Sequence, residues 1–166
     1  MLDSAIEFAT AAHGDQKRKY HDTPYISHPL AVMEIVKSVH GHTEEMLAAA
    51  VLHDVVEDTQ VVLGEITALF GNEVGELVDY LTDRSVPSDG NRKVRKQIDR
   101  DRLALAPAAA QTIKVADLIH NTLDISQHAP GFWQVYKVEK QLLLDVLDLA
   151  DTDLWHRAHK QITELW

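Results

Sequence analysis

The sequence predicts an all-α fold of about eight or nine helices. Apolar residues recur at helical spacing through nearly the whole chain. No stretch alternates as a strand would, and no repeat of solenoid length is present. The 166 residues, 45% of them hydrophobic, suffice for a sizeable core, and one domain over 1–166 is expected.

The elements follow in order. Asp3 or Ser4 can cap a first helix that stops near Gly14. Residues 15–28 hold Asp22 and Pro24 with little periodicity and read as a loop. Pro29 fits the first turn of a second helix, ending near Gly41. Thr43 can cap a third, running to about Asp58. LGEITALFG and NEVGELVDYLTD read as two shorter helices divided by Gly71-Asn72. VPSDGN, at 86–91, is a surface loop. A basic helix follows to about Leu105, and Pro107 opens AAAQTIKVADLIHNTLDI. HAPGFW reads as a turn, and 133–149 and 152–165 as the last two helices.

Composition narrows the function. The net charge of −10 argues against a general nucleic-acid binder. No apolar run approaches a membrane span, and MLDSAIEFATAAHG lacks the layout of a signal peptide, so a cytoplasmic location is expected. There is no cysteine, so any metal must be held by His, Asp and Glu. Basic residues cluster at Lys17-Arg18-Lys19 and over 92–102. Such patches on an acidic protein suit a small anion such as a nucleotide phosphate, or are simply solvated helix faces.

His53-Asp54, within AAAVLHDVVEDT, is the most informative motif. On one continuous helix Glu57 would lie a turn after His53, and Asp58 a turn after Asp54, crowding four side chains on one side. Burying that much acid is costly unless a cation compensates it. His28, in PYISHP, and Asp117, in IKVADLIHN, offer further ligands. Seen alone, each has a plain structural reading. Together, two imidazoles and two carboxylates suit Mn²⁺, Zn²⁺, Fe²⁺ or Co²⁺ rather than calcium. The other eight histidines read as surface or structural residues.

The order H…HD…D resembles the HD-domain metal-dependent phosphohydrolases. RKYHDTPYISHP, HDVVEDT, FGNEVGELVDYLTD and KVADLIHN are similar to ordered motifs of the alarmone hydrolases, the hydrolase domain of RelA/SpoT-type enzymes. The resemblance spans roughly residues 5–145, and the chain looks like the stand-alone kind. It implies a compact HD-domain helical fold. It also implies removal of the 3′-pyrophosphate from guanosine tetra- or pentaphosphate.

Carried over by position, it implies one Mn²⁺ held by His28, His53, Asp54 and Asp117. Glu57 and Asp58 would position and deprotonate the attacking water. Arg18 would pack on the base, Lys19 near the phosphates and Asn121 on the ribose. Lys93 and Lys137 would stand near the pyrophosphate, and Tyr25 would shape the pocket wall. Two departures stand out: Leu118 and Leu123 occupy positions that are basic in many relatives. Asp124 stands where some relatives have Thr and others Asp.

Two alternatives stay open: the same metal site acting on adenosine alarmones or the 2′-phosphate of NADPH, and a non-catalytic nucleotide sensor. The intact Glu57-Asp58 pair argues against the sensor. The oligomeric state is not readable from the sequence.

Overall fold

The computed structural model describes residues 1–165; Trp166, the last residue of the expected domain, lies outside the described residues. Ten α-helices are found among the described residues. The first three are α1 (Leu2–His13), α2 (Ser27–Lys37) and α3 (Glu44–Leu52), followed by α4 (Val55–Asp58) and α5 (Leu63–Phe70). Then come α6 (Asn72–Leu81), a 3₁₀ turn (Pro87–Asp89), α7 (Arg92–Ala104), α8 (Ala108–His128), α9 (Pro130–Leu144) and α10 (Thr152–Glu164). Among the described residues no helix is long and apolar enough to cross a membrane.

Two helices organise the rest. Every residue of α3 from Met46 to Leu52 is buried, as expected of a helix that is apolar all round. It packs against α1, α2, α6 and α8. The Thr43 hydroxyl accepts the Met46 N–H at 3.2 Å, capping α3 where the sequence predicts. The long α8 packs against α2, α3, α6, α9 and α10. The core is one continuous apolar cluster drawn from these elements.

The structure corrects several boundaries. The third helix does not run through to Asp58. Asp54 takes φ −97°, ψ −5°, the bridge conformation, and the chain restarts as the single turn α4. Counting α3 and α4 as one interrupted helix gives nine. The expected loop 15–28 ends early, because α2 begins at Ser27 and places His28 in its first turn. Neither Asp3 nor Ser4 caps α1. Glu44 does that work from across the fold, accepting the Leu2 N–H at 3.0 Å.

HAPGFW is not an extended turn. Ala129 (φ −139°, ψ 59°) separates α8 from α9, and Pro130 opens α9, where its missing N–H costs nothing. At its other end α9 stops at Leu144 rather than 149. Trp155 donates to the Leu144 carbonyl at 2.9 Å, and Gln111 and Thr112 accept the Leu149 and Asp151 N–H groups. The segment is thereby pinned along α8.

Candidate metal centre and nucleotide pocket

Three segments converge: the first turn of α2, the α3–α4 break and the middle of α8. The His28 Nε2 atom lies 3.0 Å from Asp117 Oδ1 and 3.6 Å from Asp54 Oδ2. The His53 Nε2 atom lies 3.1 Å from Asp54 Oδ2 and 3.7 Å from Asp117 Oδ1. His28, His53 and Asp117 each present a ligand atom within 4.8 Å of the others. Both histidines are 1% exposed.

The hydrogen bonds behind these rings decide what they can hold. His53 Nδ1 lies 2.7 Å from the Ala50 carbonyl oxygen. A carbonyl cannot donate, so Nδ1 carries a proton and Nε2 is the ring atom left to take either a second proton or a metal. That buried Nε2 has no hydrogen-bond partner and faces two carboxylates. Such an arrangement calls for positive charge between the groups. Burial opposes a proton on His53, but Asp54 and Asp117 pull its pKa well above the usual value. A divalent ion satisfies the same demand, and two imidazoles with two carboxylates match a borderline transition metal.

The surrounding residues hold the cluster in place. The Tyr25 hydroxyl donates to Asp54 Oδ2 at 2.6 Å. Asn121 donates to Asp117 Oδ1 at 2.7 Å, and Lys114 to Asp117 Oδ2 at 2.8 Å. Burial would raise Asp117, but the Lys114 ammonium and the two histidines hold it well below the carboxylate range. Burial likewise works against Asp54, which His53 and His28 nevertheless lower. Burial and Asp54 together raise Tyr25, so it stays a phenol and a donor.

His120, which reads from the sequence as a surface or structural residue, has its Nδ1 2.8 Å from His28 Nδ1. Burial and His28 push His120 down to about 4. His120 therefore accepts from His28 Nδ1–H, which leaves His28 Nε2 aimed into the site. Its one sequence signal is its place three residues after Asp117 on α8.

Glu57 and Asp58 follow the break at Asp54 on the single turn α4, and each carboxylate meets a different partner. Glu57 Oε2 accepts the Asp83 N–H at 3.1 Å, while Asp58 Oδ2 accepts from Gln16 Nε2 at 3.4 Å. Glu57 lines a cavity with Asp83, Arg95 and Lys96. Although the residue as a whole is exposed, shelter of its carboxyl and the nearby Asp83 push its pKa up to about 7. Asp99 fixes this wall: it accepts the Arg84 and Ser85 N–H groups and the Ser85 hydroxyl.

Two further cavities adjoin the cluster. One, of about 300 Å³, is lined by Arg18, Lys19, Tyr25, Asn121, Phe132 and Tyr136, among others. It gathers four of the residues expected to meet substrate. Arg18 donates to Asn121 at 3.0 Å and to Asp124 at 2.7 Å, with its guanidinium 5.5 Å from the centre of the Tyr25 ring. The other, of about 160 Å³, is lined by Lys96, Lys114, Asp117, Leu118, Asn121 and Lys140, among others.

The basic residues expected near the pyrophosphate are placed differently. Lys93 is exposed on α7 and lines none of these cavities, whereas Arg92 and Lys96 do. Lys137 is half-buried on α9, where Tyr136 and Lys140 supply the cavity wall instead. The basic run was readable in the sequence; its helical phase was not. Leu118 is a buried wall of the smaller cavity, and Leu123 is exposed. Lys140 is 1% exposed and donates to two neutral acceptors, Thr122 Oγ1 at 2.7 Å and Gln161 Oε1 at 2.8 Å. Burial pushes its pKa down to about 7.

Comparison with known proteins gives a consistent picture. The HD domain family matches residues 5–143. The chain is 34% identical over 142 residues to the human guanosine-3′,5′-bis(diphosphate) 3′-pyrophosphohydrolase MESH1, covering 84% of this chain and 77% of that protein. It is 38% identical over 192 aligned positions to the GTP pyrophosphokinase rsh of Brucella ovis, covering 99% of this chain but 24% of that protein. The fold superimposes with a TM-score of 0.87, at 27% identity, on a metazoan ortholog of SpoT described as hydrolysing ppGpp. That match covers 98% of this chain and 94% of the other.

Proposed function

The chain belongs to the HD-domain family, and on that premise we propose that it hydrolyses the 3′-pyrophosphate of guanosine tetra- or pentaphosphate. The products are GDP or GTP and pyrophosphate. His28, His53, Asp54 and Asp117 would hold one divalent ion, Mn²⁺ by preference. The observation that carries this reading is the buried His53 Nε2, without a hydrogen-bond partner and facing two carboxylates. Similarity to the human 3′-pyrophosphohydrolase supports the substrate.

A bound divalent ion would polarise a phosphoryl oxygen and lower the pKa of water. The chain's own residues do the rest. Water attacks the phosphorus joined to the ribose 3′-oxygen; that bond breaks and the 3′-oxygen takes up a proton. Glu57, with its pKa raised to about 7, is poised near neutrality to accept the water's proton. Asp58, beside Glu57 at the end of α4 and bonded to Gln16 of the α1–α2 loop, would help to orient the water. Arg18 offers a guanidinium plane to the base, and Lys19 adds positive charge at the same cavity. Asn121, already joining Asp117 to Arg18, stands between the metal ligands and the base and can reach the ribose.

The positive charge missing at Leu118 is made good nearby, since Lys96 of α7 and Lys114, one turn earlier on α8, line the same cavity. Phosphoryl transfer depends chiefly on positioning and charge neutralisation, so the origin of each cation matters less than its place.

The test is product analysis of purified protein with Mn²⁺ and guanosine tetraphosphate, run beside its adenosine counterpart and NADPH. GDP plus pyrophosphate supports the reading. Turnover confined to the adenosine compound or NADPH keeps the metal site and moves the substrate. Binding without turnover identifies a sensor.

A further inference from the structure

The molecule brings imidazoles and a carboxylate together a second time, at the rim of the larger cavity. His21 comes from the α1–α2 loop, and Asp124 and His128 from the last turns of α8, where the i, i+4 spacing puts them on one face. His21 Nε2 lies 2.8 Å from Asp124 Oδ1, and His128 Nε2 lies 3.9 Å from the same oxygen. The two imidazole rings face each other at 4.9 Å, tilted by 41°. One ligand atom from each residue falls within 4.8 Å of the other two.

We propose that His21, Asp124 and His128 form a second binding site for a divalent transition ion of the zinc class. The site does not depend on the reaction assigned above. Two imidazoles and one carboxylate select zinc-like ions over magnesium or calcium. Three protein ligands leave an open position, which the exposure of His21 (30%) and His128 (42%) turns towards solvent.

The neighbouring contacts suit this use. His21 Nδ1 lies 2.8 Å from Thr23 Oγ1, an oxygen that can accept Nδ1–H and leave Nε2 free to ligate. Arg18 takes the other carboxylate oxygen, Oδ2, so the ion would replace the proton now shared between His21 Nε2 and Asp124 Oδ1 at 2.8 Å. Arg18 is also the one cation in contact with the group among the described hydrogen bonds and ion pairs, and it weakens the site without occupying it. An ion here ties the α1–α2 loop to the end of α8. It also shares Asp124 with Arg18, the residue expected under the base.

The test is zinc binding to the full chain, with zinc alone as the probe and the bound ions counted by equilibrium dialysis. The wild type is expected to take up about two ions, one for each group of ligands. His21→Gln and His128→Gln should each abolish one ion or weaken it roughly tenfold or more. Both positions are at least partly exposed, so the variants should fold, and circular dichroism checks that they do. Asp54→Asn should remove the other ion and leave this one. Two tight ions in both histidine variants would overturn the proposal. So would a single wild-type ion that disappears in Asp54→Asn. A single ion that survives Asp54→Asn but is lost in His128→Gln would uphold the rim site and count against the buried one.

Discussion

The buried group of His28, His53, Asp54 and Asp117 and the rim group of His21, Asp124 and His128 use the same chemistry at different depths. In the buried group each carboxylate and each imidazole is held from behind. Tyr25 holds Asp54, Asn121 and Lys114 hold Asp117, the Ala50 carbonyl holds His53, and His120 holds His28. In the rim group Thr23 meets His21 and Arg18 meets Asp124, while His128 packs on the His21 ring and is partly open to solvent. Similar donors are therefore preorganised in one place and adjustable in the other. A preorganised site suits chemistry, because little has to move when the reaction begins. An adjustable site suits reversible occupancy.

The largest effect should come from cutting the buried group itself. Asp54→Ala is expected to lose tight metal binding and all measurable hydrolysis together, read by metal content and product formation. Full activity in that variant would erase the distinction between the two groups. Next comes the lip of the buried site. Glu57→Gln should keep its metal and lose roughly 10²-fold or more in kcat, as expected of a positioned acid–base group. A near-normal rate would move the proton transfer to Asp58 or elsewhere.

A smaller effect should come from the residues behind the ligands. Tyr25→Phe removes only the hydroxyl that donates to Asp54, so metal affinity or activity should fall roughly tenfold to a hundredfold. An unchanged metal titration would mean that depth alone, without the outer hydrogen bonds, organises the site.

The smallest effect concerns depth where no cation partner is needed. Burial lowers Lys140 to about 7, below the usual lysine value of about 10.4. Between those values the unfolded chain holds the proton and the folded chain does not, so this residue makes stability rise with pH. The slope has an upper limit of roughly 1.4 kcal/mol per pH unit. Lys140→Met should flatten it, as read by urea unfolding at about pH 7.5 and about pH 9.5. Equal changes in both proteins would show that Lys140 stays charged when buried.

The buried group was legible in the sequence because its residues lie in compact motifs on elements that packing must bring together. AAAVL is apolar on all sides, so its helix is central, and the His53-Asp54 dipeptide that follows sits at its end. Relations set by tertiary geometry leave no such trace in the sequence. The bridge conformation at Asp54 depends on how α4 packs, so a continuous helix was the natural expectation. His120 and Lys114 carry no motif signal beyond their spacing from Asp117. On α7 the charge run identified a basic helix, but only packing decided that Lys96 rather than Lys93 would face a cavity. The rim group joins a loop histidine to the end of α8, and no local pattern links them.

The convergence of α2, the α3–α4 break and α8 has a thermodynamic consequence. The proposed ligands lie far apart along the chain, and the unfolded polymer has no reason to gather them. An ion that binds the folded form alone is linked to folding, and contributes about 2.7 kcal/mol when its free concentration is 100 times its Kd. The availability of metal would then govern how long each molecule persists as well as whether it turns over.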